Sequence, residues 1–387
     1  MHRRSLLALV PAGLAALTGC GVAAKTTQPS DAATPGGGFT VTDVAGRTVR
    51  FDRQPERVVL GESRHVYSLL FLNREDPLAK VVAWGSDLQR AAADVYAKLR
   101  EAHPAAEQLP KIGSIYSNDL TVESLLAHRP DCVLFTLDAY GAGRKNGFIE
   151  KLDASGVTYV VTDFRVDPLK NTETSVRLIA EVMDRREAAD EFLAFYHSQV
   201  DPVLKRAQGL ADKPTTFLWR APGLADACST YARANLGLVI TATGGTNIAD
   251  GLLPGDEGVL TPEKVLSAKP STLIATGGHW AALRSDKQKT SHVQLGYLAD
   301  EAQARDTLRG LRAQPGFEHL AAFDTGRVFA VYHQFYYSPY NFVAIQAFAK
   351  WQHPDANSEL DPQGAWAQFH EKFMPWKASE VFVTSIS

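Results

Sequence analysis

The chain has 387 residues, 45% of them hydrophobic and 21% charged, which is enough apolar material to fill the cores of two lobes. Its formal net charge is −3 and its basic residues are scattered, so it lacks the electrostatic footprint of a nucleic-acid partner. Its three cysteines show no CxxC spacing, which excludes a thiolate metal centre of the zinc-ribbon kind.

His2, Arg3 and Arg4 precede an apolar run at 6–17 and small residues that end at Cys20, the order of an export signal. The run is about a dozen residues long, whereas a transmembrane helix needs about 20. Leu17-Thr18-Gly19-Cys20 resembles the bacterial lipobox. That resemblance implies cleavage before Cys20, lipidation of its thiol, and tethering to the outer or periplasmic face of the cell membrane, with each buried methylene contributing about 0.8 kcal/mol. The paired arginines also resemble a twin-arginine signal, which leaves the export route open. Residues 21–38 are Ala, Thr, Ser, Pro and Gly with almost no large apolar side chain, and read as a flexible linker. Cys132 and Cys228 fall in different predicted lobes and read as small core residues rather than as a disulfide.

Residues 39–44 and 48–51 flank Ala45-Gly46-Arg47 and predict a β-hairpin with Gly46 in the turn. A buried strand at 57–60, a helix at 67–72, a strand at 81–83 and a helix at 91–101 follow. A loop with Pro110 and Gly113 leads to a short helix at 121–128 capped by Thr121, a strand at 132–135, a helix at 148–155 and a strand at 158–162. From 171 to 209 apolar residues recur at helical spacing, with Arg185-Arg186 marking a break between two helices. The second piece, 187–208, spans about 33 Å at 1.5 Å per residue. Alternation then resumes: strand 215–219, helix 231–243, short helix 261–267, strand 272–275, helix 306–312, strand 328–331 and helix 340–351.

Strands alternating with helices in two halves predict an α/β fold: two Rossmann-like lobes joined by a long bridging α-helix, with a ligand cleft between the lobes. The divisions are a leader at 1–20, a linker at 21–38, an N-terminal lobe at 39–168, a helical region with the bridge at 169–210, and a C-terminal lobe at 211–387.

Residues 40–60, TVTDVAGRTVRFDRQPERVVL, resemble the opening of the periplasmic binding proteins that serve iron-siderophore, haem and vitamin B12 importers. LTVESLLAHRPDCVLF at 120–135 and LTPEKVLSAKPSTLIATGG at 260–278 are similar to one local pattern of that family, occurring once per lobe. The segments 243–250 and 338–362 also look familial. The resemblance implies a monomeric receptor that captures an iron-siderophore, a ferric chelate, and delivers it to an ABC permease with its ATPase. Haem and a nickel complex are the alternative ligands, and no cofactor is implied. Glu123 and Glu263 match the paired glutamates that such receptors present to permease arginines; by position alone they are also helix N-terminal glutamates favoured by the macrodipole.

Open α/β sheets bind ligands beyond the carboxyl ends of their strands. The segments there are 61–65, 138–144, Arg220, 277–280 and 332–337, and they concentrate aromatic, His and Arg residues. An anionic, partly planar chelate suits arginines for charge and aromatic faces for stacking, which selects Tyr140, Arg144, Trp219, Arg220, Trp280, Tyr336 and Tyr337. His65, His279 and His333 occupy similar positions and are candidates for direct metal contact, although a lone histidine is more often a hydrogen-bonded structural residue. A hydrolytic or redox enzyme is the rival class. Its signals, a GxSxG elbow, HExxH, GxxxxGK[ST] or a GxGxxG after the first strand, do not occur.

Overall fold

The computed structural model describes residues 38–225, 227–280, 292–378 and 381–387, so the leader with Cys20 and nearly all of the linker lie outside the described residues. The folded part opens on the expected hairpin, β1 (Phe39–Thr42) and β2 (Thr48–Phe51), in the register Phe39↔Phe51 and Val41↔Val49. Gly46 turns the chain at φ +76°, a conformation that favours glycine. The Asp43 carboxylate accepts from the Ala45 and Arg47 amides at 3.1 and 3.0 Å, and from the Val161 amide at 3.1 Å, so it shapes the turn and ties it to the first sheet.

That sheet comprises β3 (Val58–Leu60), β4 (Val81–Trp84), β5 (Cys132–Thr136) and β6 (Tyr159–Thr162), all parallel in the order β4-β3-β5-β6. Its strands are continuous apolar runs because both faces are covered. Val58, Leu60, Cys132, Leu134 and Val160 enter one core, and the alternate residues Val59, Val133, Phe135 and Val161 enter another. The second core is closed by the helices Val122–Leu126 and Phe148–Ser155. The first continues into the two long helices and onward into the other lobe.

The long helices are Pro168–Met183 and Arg186–Gln208. They break where the arginine pair predicts, with Asp184 in the left-handed region at φ +57°. The bridge of 23 residues is about 34 Å long. It packs on both lobes rather than spanning open space: Phe192 stacks on Phe71 at 4.0 Å, and the Tyr196 hydroxyl donates to Asn341 Oδ1 at 2.8 Å.

The second lobe contains β7 (Thr215–Trp219), β8 (Ser229–Tyr231), β9 (Thr246–Asn247), β10 (Glu257–Val259), β11 (Thr272–Gly277), β12 (Val328–Tyr332) and β13 (Val383–Ser385). Its sheet has the order β13-β12-β11-β7-β9, parallel except for the edge strand β13. β8 and β10 stand apart as a two-stranded antiparallel ribbon. The helix expected at 231–243 begins only at Asn235, because Tyr231 ends β8. Two helices that the sequence reading passed over, Leu137–Lys145 and Pro362–Phe373, complete the lobes. Cys132 and Cys228 are both free and buried.

Polar clamps join the lobes through their apolar interface. The Asp94 carboxylate, on the helix Ala93–Ala102, accepts from the Tyr332 hydroxyl at 2.8–2.9 Å and from the Tyr297 amide at 3.1 Å. Gly296, at φ +110°, makes this approach feasible, since a Cβ there would stand 2.2 Å from Asp94 Oδ2. Nearby, Tyr67 donates to Gln334 Oε1 at 3.1 Å and Tyr340 donates to the Tyr67 carbonyl at 2.6 Å.

Candidate functional site

The carboxyl ends of the two sheets face one another across a cleft of about 390 Å³. Each N-lobe strand is followed by a connection that contributes one polar side chain: Arg64 just after β3, Tyr116 late in the long connection from β4 to β5, Asp138 just after β5 and Arg165 just after β6. The C-lobe contributes Tyr336 and Tyr337 after β12, and Glu257 from β10.

Arg64 is held from three sides. Its Nε donates to Asp87 Oδ2 at 2.7 Å, its Nη1 donates to the Tyr336 hydroxyl at 2.8 Å across the lobe boundary, and its guanidinium lies 3.6 Å from the Tyr337 ring centroid. Asp87 is itself fixed by the Ser63 amide and hydroxyl at 2.6 and 2.7 Å. Burial alone would depress the Arg64 pKa, but Tyr336, Tyr337, Asp87 and Glu62 around it hold it well above the ordinary value, so the charge is permanent. Because the Tyr336 oxygen accepts from Arg64, its own hydroxyl hydrogen is available to a further acceptor.

Beneath these groups, buried Glu62 accepts from the Tyr337 hydroxyl at 2.6 Å and from Thr136 Oγ1. Burial pushes its carboxyl pKa up, against the opposing pull of Arg64. Arg165 stands at the mouth with Nη1 2.6 Å from Asp138 Oδ2 and Nη2 2.9 Å from Glu257 Oε2, and Asp138 also accepts from the Tyr116 hydroxyl at 2.9 Å. Arg220, after β7, reaches Glu257 Oε2 at 3.7 Å and lies 5.0 Å from the Tyr231 ring centroid, while its Nε is buried without a hydrogen-bond partner.

Of the residues expected at the cleft, Tyr336 and Tyr337 line it and Arg220 borders it through Glu257. Trp219 does not reach it: it is fully buried in the C-lobe core, edge-on to Phe317 at 5.0 Å. Tyr140 and Arg144 also lie elsewhere, because 137–145 is a helix and only its first turn, with Asp138, meets the cleft. Tyr140 instead packs 6.3 Å from Tyr159, and Arg144 is exposed on the helix surface. Trp280 is buried edge-on to His333 at 5.2 Å, behind Tyr336, which lies 4.3 Å from the His333 ring.

The histidines do not converge. His65 uses both ring nitrogens internally, on the Glu62 carbonyl at 2.9 Å and Thr162 Oγ1 at 3.0 Å. His333 is bonded through Nδ1 to Thr276 Oγ1 at 2.8 Å; burial, with Arg220, Arg64 and Arg165 around it, drives its pKa well below the ordinary value. His279 is half-buried. Among the described residues no group of three or more His, Cys, Asp or Glu side chains is arranged to hold a metal ion.

Of the residues that line the cleft, Arg64, Tyr116, Asp138, Arg165 and Glu257 are not among those that the sequence selects. Arg64 lies inside the segment 61–65 beside His65, and Arg165 follows β6 by three residues, so the same strand-end rule reaches both. Glu257 carries no such signal, because its three-residue strand is not part of either sheet.

Glu123 and Glu263 occupy equivalent places in the two lobes. Each is the second residue of a short helix whose N-cap threonine, Thr121 or Thr261, accepts a backbone amide, and each helix leads into a central strand, β5 or β11. Both are exposed, and backbone and threonine hydrogen bonds hold both carboxyls below the usual range.

Comparison with known proteins bears on all of this. Residues 74–334 match the family model described as periplasmic binding protein. Among solved structures, the TroA-like periplasmic binding protein FepB from Veillonella parvula is 23% identical with a TM-score of 0.79, over 90% of this chain and 99% of that one. The molybdate-bound periplasmic binding protein MolA of Haemophilus influenzae is 16% identical with a TM-score of 0.65, covering 88% and 99%. The periplasmic heme-binding protein RhuT from Roseiflexus sp. RS-1 is 18% identical with a TM-score of 0.53, covering 78% and 99%. Comparison with curated protein sequences finds no match.

Proposed function

This chain belongs to the periplasmic binding protein family, and on that premise we propose that it is the solute receptor of an ABC importer whose cleft takes a ferric siderophore. The observation that carries the reading is the pairing of Arg64 and Arg165 with Tyr116, Tyr336 and Tyr337 around one interlobe cleft. Guanidinium groups keep their charge when partly buried and offer forked donors to hydroxamate, catecholate or carboxylate oxygens. The tyrosine faces and the available Tyr336 hydroxyl supply stacking and a hydrogen bond. A volume of about 390 Å³ is at the small end of ligand clefts, which suits the iron-bearing head of a chelate whose arms remain in solvent.

Cys20 carries the lipid anchor in this reading, and Glu123 and Glu263 are the two contacts with the permease. The haem and nickel alternatives draw on histidine ligands, and the internal hydrogen bonds of His65 weigh against them.

The test is titration of the purified protein with ferric hydroxamates, ferric catecholates, haem and a nickel–histidine complex, followed by intrinsic fluorescence and visible absorbance. Saturable binding of a ferric chelate with its charge-transfer band retained is expected. Arg64→Ala should weaken that binding at least tenfold, the scale of a charge-assisted pair. Saturation by haem with a shifted Soret band, and none by any ferric chelate, would replace this reading with the haem one.

A further inference from the structure

The cleft contains more negative charge than its arginines suggest. Arg64, Arg165 and Arg220 face Glu62, Asp87, Asp138 and Glu257, and even with Glu62, buried beneath Tyr337, left aside the two signs only balance. An anion entering beside these groups would find every guanidinium already paired, and departure of one carboxylate would free a guanidinium for it.

We propose that Glu257 is this displaceable group: its carboxylate closes the cleft by bridging Arg165 of the N-lobe to the C-lobe ribbon, and an anionic ligand is admitted by taking its place. The proposal rests on the solute-receptor reading above. Three observations separate Glu257 from the other acids. Asp87 is locked by Ser63 and Arg64, and Glu62 lies buried beneath Tyr337. Asp138 comes from the same lobe as Arg165, is held by Tyr116, and its side chain is 33% exposed. Glu257 comes from the opposite lobe, makes the longer of the two short contacts with Arg165, and its side chain is 47% exposed, so it can return to water at little cost.

Glu257 also sits where movement is easiest. Its strand pairs only with β8, in a ribbon outside the main sheet, and Arg220 at 3.7 Å gives the released carboxylate a second partner. The residue would thereby set ligand selectivity. A neutral chelate reaches Arg165 only as a hydrogen-bond acceptor, whereas an anionic one also replaces the charge of the carboxylate.

The test compares Glu257→Gln with Asp256→Asn, which removes a neighbouring charge that faces Arg233 instead. An anionic ferric catecholate and a neutral ferric hydroxamate are titrated into wild type and both variants, and amide hydrogen exchange is recorded without added chelate. Glu257→Gln should tighten the catecholate roughly tenfold, the scale of one like-charge contact at a half-buried site, while leaving the hydroxamate nearly unchanged. It should also speed exchange at residues 229–231 and 257–259, and Asp256→Asn should do neither. An unchanged or weaker catecholate affinity in Glu257→Gln, or an equal gain in Asp256→Asn, overturns the proposal. If neither chelate binds any form, the ferric-chelate reading fails; exchange then judges the bridge by itself, and unaltered exchange in Glu257→Gln overturns that as well.

Discussion

His65 shows how a residue chosen for its chemistry becomes a part of the core. Its Nδ1 faces the Glu62 carbonyl and so carries the proton, leaving Nε2 to accept from Thr162 Oγ1, and burial lowers its pKa to about 4. His370 is placed similarly, between the Trp366 carbonyl and the Tyr297 hydroxyl, with burial lowering its pKa to about 3. A folded pKa below the unfolded one means that the unfolded chain takes up the proton first as pH falls. The stability is therefore full above pH 6.5 and is lost on acidification through about pH 4 for His65 and about pH 3 for His370. By pH 5 the loss is on the order of 2 kcal/mol for each ring. Urea unfolding should show a lower midpoint at pH 5 than at pH 7, and His65→Gln should have a shallower pH dependence than wild type; parallel slopes would remove His65 from the account. The strand-end rule reaches segments that line the cleft, but a segment there offers its side chains in several directions. It could not tell that His65 and Trp219 turn inward while Arg64 turns toward the cleft.

The bridge is the element most legible in the sequence, because 23 residues of helical periodicity outweigh any local exception and the arginine pair marks its start. Apolar runs mark the buried central strands, even the three-residue β3, whereas β8, β9 and β10 are as short or shorter and carry mostly polar or small residues, so neither they nor Glu257 are marked in the sequence. The helix Leu137–Lys145 escaped for a different reason: Gly141 and Gly143 lower its intrinsic propensity, and tertiary packing overrides that preference. The bridge's contribution to rigidity is concentrated at Phe192, which is fully buried, stacked on Phe71 at 4.0 Å and edge-on to Phe369 and Phe373 at 5.9 Å each. Phe192→Ala should lower the unfolding free energy by about 3–5 kcal/mol, the usual cost of an aromatic cavity. Phe192→Leu should recover most of that loss. Denaturant titration measures both, and a loss below 1 kcal/mol in the alanine variant would mean that the lobes do not depend on this contact.

At the scale of the whole molecule, the interface around Asp94, Tyr67 and Gln334 is a packed core with satisfied polar groups, so cargo is more readily signalled by small shifts at the cleft mouth than by a wide hinge opening. A permease that senses such shifts needs a fixed register on both lobes at once. Glu123 and Glu263 have the placement for this: one per lobe, exposed, each at the start of a threonine-capped helix that leads into a central strand. Local backbone and threonine hydrogen bonds hold their carboxyls below the usual range, which favours the charged form. Neither lines the cleft. Glu123→Ala combined with Glu263→Ala should leave the folded protein and its chelate affinity within about twofold of wild type, because exposed surface changes cost little. On the proposed reading, uptake of the iron-loaded chelate by cells that depend on this protein should be abolished, and each single variant should be intermediate, since two-point charge matching governs orientation and encounter rate more than bulk affinity. If these glutamates meet permease arginines as proposed, arginine at both positions should be worse than alanine, by like-charge repulsion. Normal uptake by the double variant would remove the glutamates from the docking surface, and weakened chelate binding would assign them to the cleft instead.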